Sequence, residues 1–537
     1  DTALSVSSGA TYDVDATDVI GSISGGGDID IASGVTLTAG ALANASTTFS
    51  GVISGDGAFS KAGTGTTTLS GVNTLLGAIT INAGTLAVSG SLAFDSSVVD
   101  VASGATYELA VGDTIGGLQG AGSVDLAGNL LNVNISDGSV STTFSGTIAG
   151  SGGSSSLTKS GDGTLKLSGV NTFEGLVSIN DGVLEISNAS SLGAFGANTN
   201  GTNVNREGAL YIVGGDGIEL SENLILGASG SVGEARIRLV SGNATITKPI
   251  ALFGDSAIEV LSGEMLLDNT ASSAGSKMII VDSNCGSSQT CNFRVGGNGA
   301  SGGGLVKTFL DSADASKSDG IALGGEDLTI NNGGSFRISG ASIMSGQIVL
   351  DSGNLQLSNT GALGNVSQIS MANGSLISFL TDFPLETPSD SPLVVTLGSG
   401  DQTFFVESSR SVVLNDVSLV GSGNFVKTGD GSFDYFDSAN GGTGTLDFTG
   451  ETKVTAGLLQ VSAAKIASSS VTCSGSGTSN LCDSDVSPSP EPSPSPEPSP
   501  SPDPTPTPEP VEPKPPVGEE PKPPKGDDPR RPGGDDP

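Results

Sequence analysis

The chain has no histidine and no tryptophan, and only 4 tyrosines and 4 methionines. Basic residues are few as well: 21 lysines and arginines face 57 acids in 537 residues. Each shortage excludes something. Without imidazole there is no Ser–His–Asp or Cys–His nucleophile and no histidine to ligate a metal. The formal net charge of −36 argues against nucleic acid, whose phosphates it would repel, and against anionic membrane surfaces. No apolar run approaches the roughly 20 residues that a membrane-spanning helix needs. The few tyrosines leave little to stack against sugars. The chain opens at Asp1 without a basic-then-apolar leader, and we expect a mature product whose export signal has gone.

Cysteine is sparse and local. Cys285 lies near Cys291, and Cys473 near Cys482. Three pairings are possible on paper. The short spacings favour two hairpin-type disulfide loops, a natural device outside the cytoplasm. Neither pair has C-x-x-C spacing, and no histidine is there to complete a Cys/His zinc site.

What is abundant is glycine, 82 residues, set into a grammar that the chain writes three times. The best copy is FSGVISGDGAFSKAGTGTTTLSGVNTLLGAITINAGTLAVSGS, Phe49 to Ser91. A second runs from Phe144 to Ser190 and a more worn third from Gly421 to Val461. They share K-x-G-x-G, then L-S-G-x-N-T in the first two, then a segment close to I-x-I-N-x-G-x-L-x-V. Apolar residues two apart alternate with small or polar ones and are punctuated by Gly, Asn and Asp, the rhythm of short strands and turns. A larger echo surrounds them: Leu4–Val14 recurs as Val99–Leu109, 95 residues on. A row of sandwich domains would want bulky aromatic cores and a kept period. Neither is present, whereas narrow coils suit stacked Val, Ile, Leu and Ala. The expected fold is therefore all-β, a parallel β-helix of about two dozen coils at roughly 20 residues each. Asn73 and Asn171, in the repeated turn, should bond to backbone or to a neighbouring coil.

Four segments follow. Residues 1–204 form an N-terminal β-helix with two super-repeats, and 205–420 a central β-helix with loop insertions. One insertion is the Cys285–Cys291 loop. The other is Asp382–Pro392, whose three prolines should loop it off the ladder. Residues 421–486 close the helix. From Ser487 to Pro537 the chain alternates Pro with Ser, Thr and Glu, and holds 21 of its 25 prolines. That composition predicts a disordered tail extending as polyproline II, a spacer rather than a P-x-x-P ligand.

Candidate chemistry is thin. Paired carboxylates at Asp28 and Asp30, Glu259 and Glu264, or Asp434 and Asp437 could serve a polysaccharide-active β-helix enzyme, but acids are common here and chance proximity explains them. Gly299–Gly303 spells G-x-S-x-G without a histidine partner. Arg236 and Arg238 share one face of a strand and could grip an anionic sugar, although an outward ion-paired face is the commoner use. Gly214–Ile218 and the GDG triplets at 55–57, 161–163 and 429–431 echo calcium-binding turns but lack the tandem nonapeptides such sites require. No catalytic residue, metal or cofactor is assigned.

The FSG-x-I-x-G-x-G, LSG-x-NT and IN-x-G-x-L-x-V strings resemble the passenger-associated transport repeat of bacterial autotransporters. The resemblance implies a right-handed parallel β-helix, export through an outer-membrane β-barrel and display on, or release from, a Gram-negative cell. It also implies that the copy at Gly421–Val461 helps to nucleate folding, and that a C-terminal barrel of about 300 residues belongs to the full-length protein. The expected function is a structural or adhesive rod binding cell-surface or extracellular proteins or glycans, or its own kind. The alternative is the polysaccharide-active enzyme.

Overall fold

The computed structural model describes residues 2–40, 45–90, 94–194, 201–228, 233–269, 277–281, 293–295, 305–308, 318–331, 333–385, 393–414, 417–435, 445–461 and 471–479. Two compact units divide at 486/487; the second, the proline-rich segment, lies outside the described residues. Within the first unit the described elements are all strands. Each ladder is parallel, joining a strand to its counterpart one coil away; an isolated bridge between Asn331 and Ser352 runs antiparallel. The result is a β-solenoid of about 18 turns. That is fewer than two dozen because many coils are longer than 20 residues. Phe59 pairs with Ile79, 20 residues on, but Ile279 pairs with Ile321, 42 residues on. No helix among the described residues is long and apolar enough to cross a membrane.

Alternation in sequence becomes inside and outside. Leu37, Phe59, Ile79, Val99 and Leu118 stack in register through five coils and are all buried. One residue along, Thr38, Ser60, Thr80, Asp100 and Gln119 form the outward ladder. A parallel stack removes each inward aliphatic from water while the backbone ladders satisfy its peptide groups.

The repeat grammar has three physical meanings. The first is the glycine column. A Cβ on Gly51 would stand 1.7 Å from the Gly27 carbonyl oxygen, and one on Gly71 would stand 1.9 Å from that of Gly51. Only a residue without a side chain lets successive coils approach so closely. The second is the asparagine. Asn73 Oδ1 accepts from the Ile53 amide at 2.8 Å, and Asn171 Oδ1 from the Ile148 amide at 2.8 Å. Both tie one coil to the coil before it, as their turn positions suggested.

The third is the lysine, whose position sequence analysis fixed but whose role it left blank. Lys61, Lys159 and Lys427 point inward and are buried to 1 % exposure or less. Lys61 Nζ donates to the carbonyls of Ala62, Gly63 and Ala83 at 2.7, 2.9 and 3.1 Å. Lys159 Nζ donates to those of Ser160, Gly161 and Asp181 at 2.9, 2.5 and 3.2 Å. Lys427 Nζ donates to Thr428, Gly429 and Ala456 at 2.8, 2.7 and 3.2 Å. Each ammonium thus spends its three protons on two carbonyls of its own turn and one of the next coil. Burial pushes Lys159 and Lys427 down to about 8 and lowers Lys61.

One expectation needs correction. Phe383–Leu385, inside the proline-bearing insertion, is a strand, with Pro384 in register with Val413. It is the first strand of a five-stranded ladder, so the missing proline N–H faces no partner. Residues 386–392 lie outside the described set. Nearby, Phe379, Phe383, Phe404, Phe425 and Phe433 make five of the six aromatic pairs among the described residues, with Phe404 stacked on Phe425 at 4.7 Å.

Candidate ligand-binding face

The strand Ala235–Ile246 turns Ala235, Ile237 and Leu239 into the core and Arg236 and Arg238 outward. Register then separates the twin arginines. Arg238 is opposite Glu259 on one neighbouring coil and Tyr211 on the other. Its guanidinium reaches Glu259 at 2.5 and 2.6 Å and lies 4.7 Å from the Tyr211 ring centre. Arg294, two coils from Arg236, holds Glu234 at 2.5 and 2.9 Å and Glu259 at 3.1 Å. Hydrogen bonding to both carboxylates raises the Arg294 guanidinium although burial opposes it. Glu259 is wholly buried at the centre, so two guanidinium groups compensate one desolvated carboxylate.

An outward ladder leads to this network. Lys166, Glu185, Tyr211, Arg238 and Glu259 follow one another in register. Lys166 and Glu185 close to 3.0 Å. Sequence analysis named Arg236, Arg238 and Glu259, but not Glu234 or Arg294, which join only because coils of unequal length bring them side by side.

The described members of the candidate carboxylate pairs hold other partners. Asp28 Oδ1 accepts from the Val52 amide and Asp30 Oδ1 from the Ser54 hydroxyl, so each serves a bond between coils. Glu259 belongs to the arginine network, while Glu264 pairs with Lys307 at 2.5 Å. Asp434, raised by burial, accepts from Ser411; Asp437 lies outside the described residues. So do Gly299–Gly303 and the cysteines Cys285, Cys291 and Cys482. Cys473 ends the strand Val471–Cys473. The glycines of the GDG triplets sit at coil corners; Gly55, at φ 99°, would place a Cβ 2.2 Å from the Ile31 carbonyl oxygen. No group of three or more Cys, Asp or Glu suited to a metal occurs among the described residues.

A parallel β-solenoid with aliphatic ladders inside and a charged ladder outside is a scaffold class. The repeats narrow it further. The family model described as "Passenger-associated-transport-repeat" matches residues 59–88 and 157–186, the segments that carry Lys61 and Lys159. The chain is also similar to the "Adhesin BmaC autotransporter" of Brucella suis biovar 1 (strain 1330), 38% identical over 94 residues. That stretch is 16% of this chain and 3% of the Brucella protein. No solved structure matches. The repeat matches and the likeness to the Brucella protein support an autotransporter passenger with passenger-associated transport repeats, placed at the surface or in the surroundings of a Gram-negative cell.

Proposed function

We propose that this passenger attaches cells to surfaces or to one another, its solenoid serving as a non-enzymatic scaffold that presents outward side chains to a ligand. The observation that carries the reading is the coincidence of the two matched repeats with caged-lysine coils of a parallel solenoid. The similar Brucella protein is named an adhesin, and the named carboxylates are occupied by coil-to-coil bonds and ion pairs. Four further features belong to the proposal. An outer-membrane β-barrel of the full-length protein carries the passenger out, and residues 487–537 space it from that anchor. Cys285 pairs with Cys291 and Cys473 with Cys482; in support, Cys473 is disulfide-bonded. The segment from 421 begins folding, which the phenylalanine cluster around Phe425 and Phe433 would favour.

The test is display. The full-length protein, produced on a non-adherent Gram-negative host, should confer attachment or cell–cell aggregation. An in-frame deletion of residues 1–486 should remove it at equal barrel abundance. Equal attachment with and without the solenoid would overturn the reading.

A further inference from the structure

We propose that Arg236 is the anchor of a ligand site for a single carboxylate carried on a sugar. The inference rests on the attachment reading and deepens it by naming a ligand chemistry.

Two arginines on one strand face the same way, yet the fold treats them differently. Arg238 has Glu259 in register. Arg236 has alanine on both sides, Ala209 on one coil and Ala257 on the other, and neither offers an acceptor. Arg236 makes no hydrogen bond or ion pair among the described residues, and its Nε is shut off from solvent without an acceptor. Two of the surrounding acids are already committed: Glu234 is held by Arg294, and Glu259 by Arg238 and Arg294 together, while Glu207 on the adjoining coil is exposed and makes no ion pair with Arg236. A chain with 57 acids has placed a half-buried guanidinium where no carboxylate answers it. Guanidinium is a planar fork of donors that matches a carboxylate with two parallel bonds. An incoming carboxylate would meet that unanswered charge without breaking an existing pair.

Charge limits the ligand's size. At a net charge of −36 the protein repels polyanions, so the site fits one isolated negative group better than a polysulfate or a nucleic acid. Topology limits its kind. The strand Ala235–Ile246 is paired on both edges, with Thr202–Leu220 and with Ser256–Val260 and Glu264–Leu267, so a peptide has no edge to join as an added strand. On the same outward face stand Tyr211, in register with Arg238, and, three coils from Arg236 beyond Arg294, Thr329 and Asn331. Those groups suit the hydroxyls of a sugar ring.

The experiment titrates the purified passenger with sialyllactose, monomeric galacturonate and lactose, separating two sources of a single sugar carboxylate from a neutral control. At least one acidic sugar should bind ten-fold or more tightly than lactose, and added salt should weaken that preference. Arg236→Gln should erase the preference at an unchanged melting temperature. Arg236→Lys should keep part of it, and Arg410→Gln, at an exposed arginine elsewhere, should leave it intact. Equal binding of all three sugars, or an acid preference that survives in Arg236→Gln, overturns the proposal. If Arg236→Gln lowers the melting temperature, Arg236→Lys decides: wild-type acid preference with lysine's different geometry would also overturn it. Attachment by displayed cells that persists without acid preference would remove this inference and leave the attachment reading standing.

Discussion

The caged lysines of the repeats and the paired cations of the central coils handle positive charge in opposite ways. Each repeat sends one lysine inside, and Lys61, Lys159 and Lys427 each meet three carbonyl oxygens and no carboxylate at hydrogen-bond distance. In the central coils Arg238, Arg294 and Lys307 go outward and are answered by Glu234, Glu259 and Glu264. The caged ammonium does backbone work: at a glycine-rich corner the chain cannot satisfy every carbonyl with amides, and one lysine supplies three donors. The ion pairs do surface work, and their removal changes what the face presents more than how the chain turns. The lesson is that a buried lysine here belongs to the backbone ladder, while an outward arginine belongs to the ligand-facing side.

The largest expected effect tests the cage. Lys159→Met should leave three partly buried carbonyls without their ammonium donor and cost about 3 kcal/mol, on the scale seen when one partner of a buried charged contact is removed. The check is the urea midpoint at unchanged slope, with faster amide exchange around Ser160–Gly163. If the methionine variant matches or exceeds the parent, relief of the buried charge outweighs the carbonyls, and the comparison fails. Glu259→Gln should follow at about 2 kcal/mol, because it leaves Arg238 and Arg294 facing an amide in a desolvated site. Here the readout is the melting temperature together with the mobility of Arg238 over Tyr211.

That contrast also explains what could be read from sequence. The cage is written locally, as K-x-G-x-G with a return strand about 20 residues later, so Lys61 and Lys159 occupy matching places in matching strings. Their position was visible; their inward direction was hidden, since composition rules place lysine outside. The Asn73 and Asn171 bonds were legible for the same reason, whereas the repeated glycines read only as turn punctuation. The central network was not. Glu234 and Arg294 are 60 residues apart and meet only because the coils between them carry insertions of unequal length. Pro384 misled in another way: a proline tolerated on the end strand of a ladder looks, in sequence, like one that breaks it.

A third effect sharpens the comparison through pH. Glu222 is buried in the central solenoid, where the Thr202 hydroxyl donates to its Oε1 at 3.0 Å. Burial pushes its carboxyl up to about 8, partly offset by that hydroxyl. A carboxyl raised in the folded state contributes stability that is whole below its unfolded value of 4.5, and that is lost as pH rises through 8. Lys159 and Lys427 move the other way: lowered to about 8, they regain stability as pH climbs from 8 towards 10.5. Glu222→Gln should therefore equal the parent near pH 4.5 and exceed it at pH 8, read as melting temperature across that range. Asp319, raised by burial to about 6, overlaps only the lower part of this window and leaves its upper part to Glu222.

The smallest effect marks where the outward rule loses force. Lys166 and Glu185 lie in the same outward ladder as Arg238 and Glu259, two steps and one step in register from Tyr211, with 39% and 21% of their side chains exposed. Water and salt screen such a pair, and holding a long lysine in one rotamer offsets part of the attraction. Lys166→Ala should cost no more than about 0.5 kcal/mol, and the loss should vanish at high salt. A double-mutant cycle with Glu185→Ala isolates the pair term. A coupling well above that value would mean that charge order along the ladder, from Lys166 to Glu259, acts as one network. The division between inner and outer cations would then rest on cooperation along coils rather than on burial at each site.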